Sequence, residues 1–284
     1  MDSVDKREHL SRKDFANEYY NHCKPVVIKD ATKQWKAHTE WSAEFFKHTF
    51  ATRNVKVGGK QYLMKDYMDI VIASSAENPS PYLNEVNIPD VFPELMPDLV
   101  PYFQYSLPDR LKSKLIPRKW GQREGIVELL IGGKGTCFPV LHYDGFHMHT
   151  FVTQIRGDKE FYFIPPDQTK YLYVEGAYSN KSPVSFFNPD YTKYPLFKEV
   201  KPTMVLVKEG ETIYIPSGWW HTTRILSLSI AVSINSMNRN KWNDYVNDFV
   251  QMAANGNKLK SAVFKTYLLS AGKLMSVSEM MGGK

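Results

Sequence analysis

Thr150-Phe151-Val152-Thr153-Gln154-Ile155-Arg156-Gly157-Asp158-Lys159-Glu160-Phe161-Tyr162-Phe163-Ile164-Pro165-Pro166 reads as two strands. β-Branched and aromatic side chains dominate both runs, Arg-Gly-Asp turns the chain between them, and two prolines stop the second. The same pattern continues outward. Upstream, Ile126-Val127-Glu128-Leu129-Leu130-Ile131 ends at Gly132-Gly133; downstream come Thr203 to Val207, Glu211 to Ile215 and Ser227 to Ile234. Short strands at close intervals, broken by Gly and Pro, predict a mainly β fold, an all-β barrel or sandwich such as a jelly roll.

The flanks differ from this core. Ser11 stands ahead of Phe15, Tyr19 and Tyr20 at helical spacing, which predicts a short amphipathic helix over 11–21. Lys24-Pro25-Val26-Val27-Ile28-Lys29 predicts a strand, Trp41-Ser42-Ala43-Glu44-Phe45-Phe46 opens a helix, Asn54 to Val57 is a strand closed by Gly58-Gly59, and Met64 to Ser74 is a helix. Residues 79–101 are Pro-rich but keep the apolar anchors Tyr82, Leu83, Val91, Phe92 and Leu95, which suits a cover rather than a linker. After Asn238, Trp242, Tyr245, Val246, Phe249, Val250 and Met252 recur at helical spacing, and a second helix follows over Ala262 to Met275. The expected organisation is an N-terminal α/β cover over 1–118, the barrel over 119–238 and a helical region over 239–284 whose apolar faces either pack under the barrel or form a homodimer interface. The tryptophans read as core packing.

Composition narrows the function classes. With 284 residues, 43% of them hydrophobic, the chain can bury about three quarters of its unfolded surface. It has no apolar run near the roughly 20 residues that span a bilayer, and its charged start carries no signal-peptide core. The expectation is a soluble intracellular protein, cytoplasmic or nuclear, with no membrane partner. Cys23 and Cys137 are too few for a disulfide framework and read as free thiols, which sets cysteine redox catalysis aside. The net charge of +6 is scattered rather than gathered into runs, so charge alone does not mark a nucleic-acid face.

The chemistry gathers at His142-Tyr143-Asp144 and at His221, which closes Pro216-Ser217-Gly218-Trp219-Trp220-His221. A lone His-X-Asp is common by chance; its weight here comes from position. On a strand, residues i and i+2 point to one face, so His142 and Asp144 can share one ion, while His221 follows a Pro-Ser-Gly turn that ends another strand. Two imidazoles and a carboxylate on one side of a metal leave the opposite side open and suit Fe(II), whereas zinc more often recruits Cys or a fourth protein ligand. His147 and His149 follow closely, but read as exposed loop histidines outside the metal centre.

These motifs together resemble the JmjC, or cupin-like, family of Fe(II)- and 2-oxoglutarate-dependent oxygenases. The resemblance runs through His142-Tyr143-Asp144, Gln154-Ile155-Arg156-Gly157-Asp158-Lys159, Phe163-Ile164-Pro165-Pro166, Asn188-Pro189-Asp190-Tyr191, Tyr194-Pro195-Leu196-Phe197 and Gly210 to His221, with Lys24 to Ile28 and Trp41-Ser42 matching the lead-in of small hydroxylase members. It implies His142, Asp144 and His221 as iron ligands and Fe(II), 2-oxoglutarate and O2 as cofactor and cosubstrates. It also implies Lys159 as the cation for the distal carboxylate, with Tyr82, Asn235 and Thr150 near the same cosubstrate. Two departures stand out: Pro139 occupies the place of a family threonine, with Thr136 nearby, and Thr150 or Val152 stands where an asparagine is common. The implied activity is hydroxylation of a protein or peptide side chain, with a modified tRNA base second and N-methyl-lysine demethylation third. A catalytically silent binding barrel is the reading from another class, and the intact triad argues against it.

Overall fold

The computed structural model describes residues 3–117, 120, 126–176 and 179–281. The expected 118/119 boundary lies outside the described residues. Within them the strands are β1 (Asp5–Arg7), β2 (Val26–Ile28), β3 (Asn54–Val57), β4 (Lys60–Leu63), β5 (Leu83–Asn87), β6 (Ile126–Gly132), β7 (His149–Arg156), β8 (Lys159–Ile164), β9 (Thr203–Val207), β10 (Thr212–Ile215), β11 (Trp220–Ile225) and β12 (Ser229–Ser236). The α-helices are α1 (Arg12–Phe15), α2 (Ala37–Glu40), α3 (Ala43–Thr49), α4 (Met64–Ile72), α5 (Ile88–Val91), α6 (Trp242–Ala254) and α7 (Lys258–Met281).

Two sheets position the site. The larger runs β1-β2-β10-β7-β12-β6-β5 and the smaller β11-β8-β9, with the β3-β4 hairpin apart. All strand pairs are antiparallel except β1 with β2. Residues ahead of 118 thus supply both edges of the large sheet. Val152, Ile213, Leu130 and Ala231 of the large sheet meet Phe161, Phe163, Val205 and Ile225 of the small one in a shared apolar cluster. The fold is a sheet-rich sandwich, and among the described residues no ladder joins the two sheets into a closed barrel.

The outer face of the large sheet is covered by the N-terminal helices. Val127, Leu129, Phe151, Ile230, Val232 and Ile234 pack there against Phe15, Phe46, Tyr67 and Phe103. Local capping sets where these helices start: the Ser11 hydroxyl accepts the Asp14 N–H and the Ser42 hydroxyl accepts the Phe45 N–H. The predicted helix over 11–21 is α1 followed by a π-helical turn, Ala16–Tyr20. Four strands escape the sequence reading: β1, β4, β5 and β11, the last an edge strand of the small sheet that carries His221. β1, made of Asp5, Lys6 and Arg7, is a strand because it pairs with β2, not because of its residues; β4 and β5 are likewise edge elements.

The C-terminal helix is longer than its predicted Ala262 to Met275 span. α6 ends at Asn255 in the left-handed conformation, a cap for which Asn is suited. Its buried face, with Trp242, Tyr245, Val246 and Phe249, packs on Met148, Met237 and the α7 residues Leu268, Ala271 and Met275. Arg110 ties α7 to the cover: its guanidinium donates to both carboxylate oxygens of Glu279 and to the Ser276 hydroxyl.

Candidate metal centre

His221 lies on β11, and a backbone bridge sets His142 directly opposite it: each N–H donates to the other's carbonyl, at 3.1 and 2.6 Å. That pairing brings the two rings to 4.4 Å between centroids. Asp144 follows two residues on, in extended backbone rather than in a regular strand. One ligand atom from each of the three side chains lies within 4.8 Å of the others.

The surroundings orient these atoms. His142 Nδ1 sits 3.3 Å from the Val140 carbonyl and His221 Nδ1 sits 3.0 Å from the Trp219 carbonyl. Holding Nδ1 as the donor leaves each Nε2 lone pair facing Asp144, at 3.9 and 4.0 Å from its oxygens. Phe138 stacks on His142 at 4.5 Å. Burial, and then the neighbouring His221, push the His142 imidazole down to about 4, so it is neutral at physiological pH. Asp144 Oδ2 is buried with no hydrogen-bond partner. A buried carboxylate oxygen without a partner, facing two imidazole lone pairs, fits a divalent cation.

The triad opens on a cavity of about 470 Å³ between the sheets. At another part of its wall lies Lys159, the first residue of β8 and only 1% exposed. Its ammonium donates to the Tyr82 hydroxyl at 3.0 Å, and burial pushes it down to about 7. Burial pushes the Tyr82 hydroxyl up, so it stays a neutral phenol. Thr150 and Asn235 are register partners on β7 and β12, and both line the cavity. The Thr150 hydroxyl is buried without a partner. The structure therefore brings His142, Asp144, His221, Lys159, Tyr82, Asn235 and Thr150 to one cavity.

Other expectations need correction. His149 is not an exposed loop residue: it begins β7, is fully buried, and its Nδ1 pairs with the Tyr214 hydroxyl at 2.9 Å. His147 is in a loop but half-buried, 3.5 Å from Asp248 of α6. Thr136 does not take the vacated threonine role, because its hydroxyl donates to the Ser80 carbonyl and pairs with the Ser80 hydroxyl. Sequence reasoning missed Thr223, whose unpartnered hydroxyl lies in the cavity wall. Thr223 is two residues past His221, but their shared face emerges only with β11, which the sequence pattern did not mark as a strand.

The profile described as "Cupin-like domain" matches residues 12–241. The chain belongs to the cupin-like domain family. The JmjC resemblance read from the motifs is borne out by relatives of this cupin-like chain. It is 30% identical over 247 residues to "Lysine-specific demethylase JMJ30" of Arabidopsis thaliana, covering 81% of this chain and 54% of that protein. It is 29% identical over 248 residues to "JmjC domain-containing protein D" of Dictyostelium discoideum, covering 78% and 53%. The match to "tRNA wybutosine-synthesizing protein 5" of Gallus gallus is 23% over 242 residues, covering 80% and 74%. The chain thus spans about half the length of the first two relatives.

Proposed function

We propose that this chain is an Fe(II)- and 2-oxoglutarate-dependent dioxygenase that hydroxylates a side chain of a protein or peptide. The observation that carries this reading is one cavity holding two complementary features: a His-Asp-His group that suits a metal and a buried ammonium that suits a dicarboxylate. When bound, iron and 2-oxoglutarate supply the oxidising chemistry with O2. The chain's part is to hold the ligand lone pairs on one side, receive the distal carboxylate on Lys159 and Tyr82, and keep the reacting face dry. Thr150, Thr223 and Asn235 are read as further contacts to the cosubstrate. We read the facing sheets as a double-stranded β-helix, with residues 1–118 as its cover, 119–238 as the barrel and 239–284 as a helical appendage.

The relatives' names bring two further substrates into view: a methylated lysine or arginine and a modified tRNA base. Mass spectrometry of peptide and tRNA pools incubated with the iron-loaded protein and 2-oxoglutarate separates them. A gain of one oxygen in peptides is expected. Loss of a methyl group, or oxygen gain only in tRNA, would replace the substrate reading; no succinate above that of an Asp144→Ala variant would leave a binding module.

The same reading includes a homodimer through α7. Its support is an apolar stripe of Leu259, Val263, Tyr267, Leu274 and Val277, exposed by 44–76% and spaced to share one helix face. Sedimentation should give a dimer that Val263→Glu converts to monomer; a parent that sediments as monomer sinks the idea.

A further inference from the structure

Glu128 has no role in the assignments above, although it lines the same cavity as the triad. It lies on β6, where Val127, Leu129 and Ile131 face the cover and Leu130 faces the space between the sheets. Alternation therefore points Glu128 inward, in a row with Asn87 of β5 and Ser233 of β12. Its neighbour in that alternation, Leu130, is apolar, as an interior position requires. The carboxylate there is half-buried and makes no hydrogen bond or ion pair to any described residue, so both oxygens keep their capacity for a donor that enters the cavity. Lys159 does not supply that donor, since its ammonium donates to Tyr82. Burial, and then Asp144 and Glu85, push the Glu128 carboxyl up to about 7 in the metal-free protein.

A second observation points the same way. The β5–β6 register shifts between Leu83 and Val86, and within that irregularity Asn84 and Glu85 line the cavity. Glu85 takes a left-handed backbone, φ 60°, which is sparse for a residue with a side chain. Bulges of this kind re-aim side chains at sites, and local strain gathers where geometry matters for function.

We propose that Glu128, seconded by Glu85, is the specificity determinant of the cavity: it receives the cationic end of a substrate side chain, an ammonium or a guanidinium, beside the metal ligands. This rests on the reading of the cavity as a dioxygenase site acting on a protein or peptide. In a confined, low-dielectric cavity a carboxylate discriminates strongly between a cation and a neutral group of the same shape.

The test uses the Mn(II)-loaded protein with 2-oxoglutarate, without oxygen, and reads paramagnetic relaxation of ligand protons by NMR. The probes are acetyl-arginine amide against acetyl-citrulline amide, and acetyl-lysine amide against acetyl-norleucine amide. In the parent protein the cationic member of at least one pair should bind about tenfold or more tighter than its neutral isostere, and Glu128→Gln should bring that ratio close to one. Equal binding in both pairs, or a ratio that survives Glu128→Gln, overturns the proposal. Should Glu128→Gln not fold, Glu85→Gln decides: a drop of about threefold in the ratio supports it and an unchanged ratio overturns it. A charge preference without any oxoglutarate turnover would remove the enzymatic reading alone, whereas turnover on peptides with no charge preference would remove this inference alone.

Discussion

Strand β12 buries all eight of its residues, yet its two faces belong to different environments. Ile230, Val232 and Ile234 enter an aromatic core in which Phe151 lies against Phe15, Phe103 and Tyr214. On the other face Ser233 and Asn235 line the cavity, and Thr150 and Thr223 keep hydroxyls without partners there. One face is packed with side chains that satisfy each other; the opposite one holds polar groups with capacity to spare. Burial alone therefore says little about where a ligand goes, and unmet hydrogen bonding says more.

Four substitutions challenge that contrast. On the cavity face, Asp144→Ala should reduce succinate release from 2-oxoglutarate by about 10³-fold or more, with little change in thermal stability of the metal-free protein; retained turnover would show that the triad is not the metal centre. On the cover face, Phe151→Ala should cost about 3–5 kcal/mol in denaturant unfolding, while turnover per folded molecule stays near parental. A large loss of turnover with intact fold would mean that the two faces are not separable.

Lys159→Met should weaken 2-oxoglutarate binding on the order of 10²–10³-fold, the equivalent of about 3–4 kcal/mol, in calorimetry. Its pH behaviour sharpens the point. The folded ammonium loses its proton near 7, below the ordinary 10.5, so between those values the unfolded chain binds more protons and stability rises with pH. Lys159→Met should flatten that rise, and cosubstrate binding to the parent above pH 7 should take up a proton, visible as a buffer-dependent heat. Smallest of the four, Thr223→Val should weaken 2-oxoglutarate by about fivefold, the value of one hydrogen bond near 1 kcal/mol. An unchanged affinity would place Thr223 outside the cosubstrate pocket.

Strands β6, β7 and β12 were legible because β-branched and apolar residues recur along them, with Gly132-Gly133 closing β6 and Arg156-Gly157-Asp158 closing β7. His142, Asp144, His221 and Lys159 were legible because their spacing carries a family pattern. β1 was not, since Asp5, Lys6 and Arg7 become a strand only through the backbone of β2. His149 was misread because Gly145 and Phe146 suggest a continuing loop, and the left-handed backbone of Phe146 and His147 that returns the chain to β7 has no sequence signature. Glu128 escaped notice because a charge inside a strand is ordinarily taken for its wet side.

The paired backbones of His142 and His221 carry one further consequence. Residues 79 positions apart in the chain meet there through only two backbone hydrogen bonds. An ion shared by their rings would act as a crosslink, restricting the long intervening loop in the unfolded ensemble only where it stays bound, and adding its binding energy to the native state by mass action. The melting temperature should then climb with the logarithm of free divalent metal, and a chelator should lower it; the segment from Phe138 to Asp144 should be the first to gain amide protection as the metal is restored.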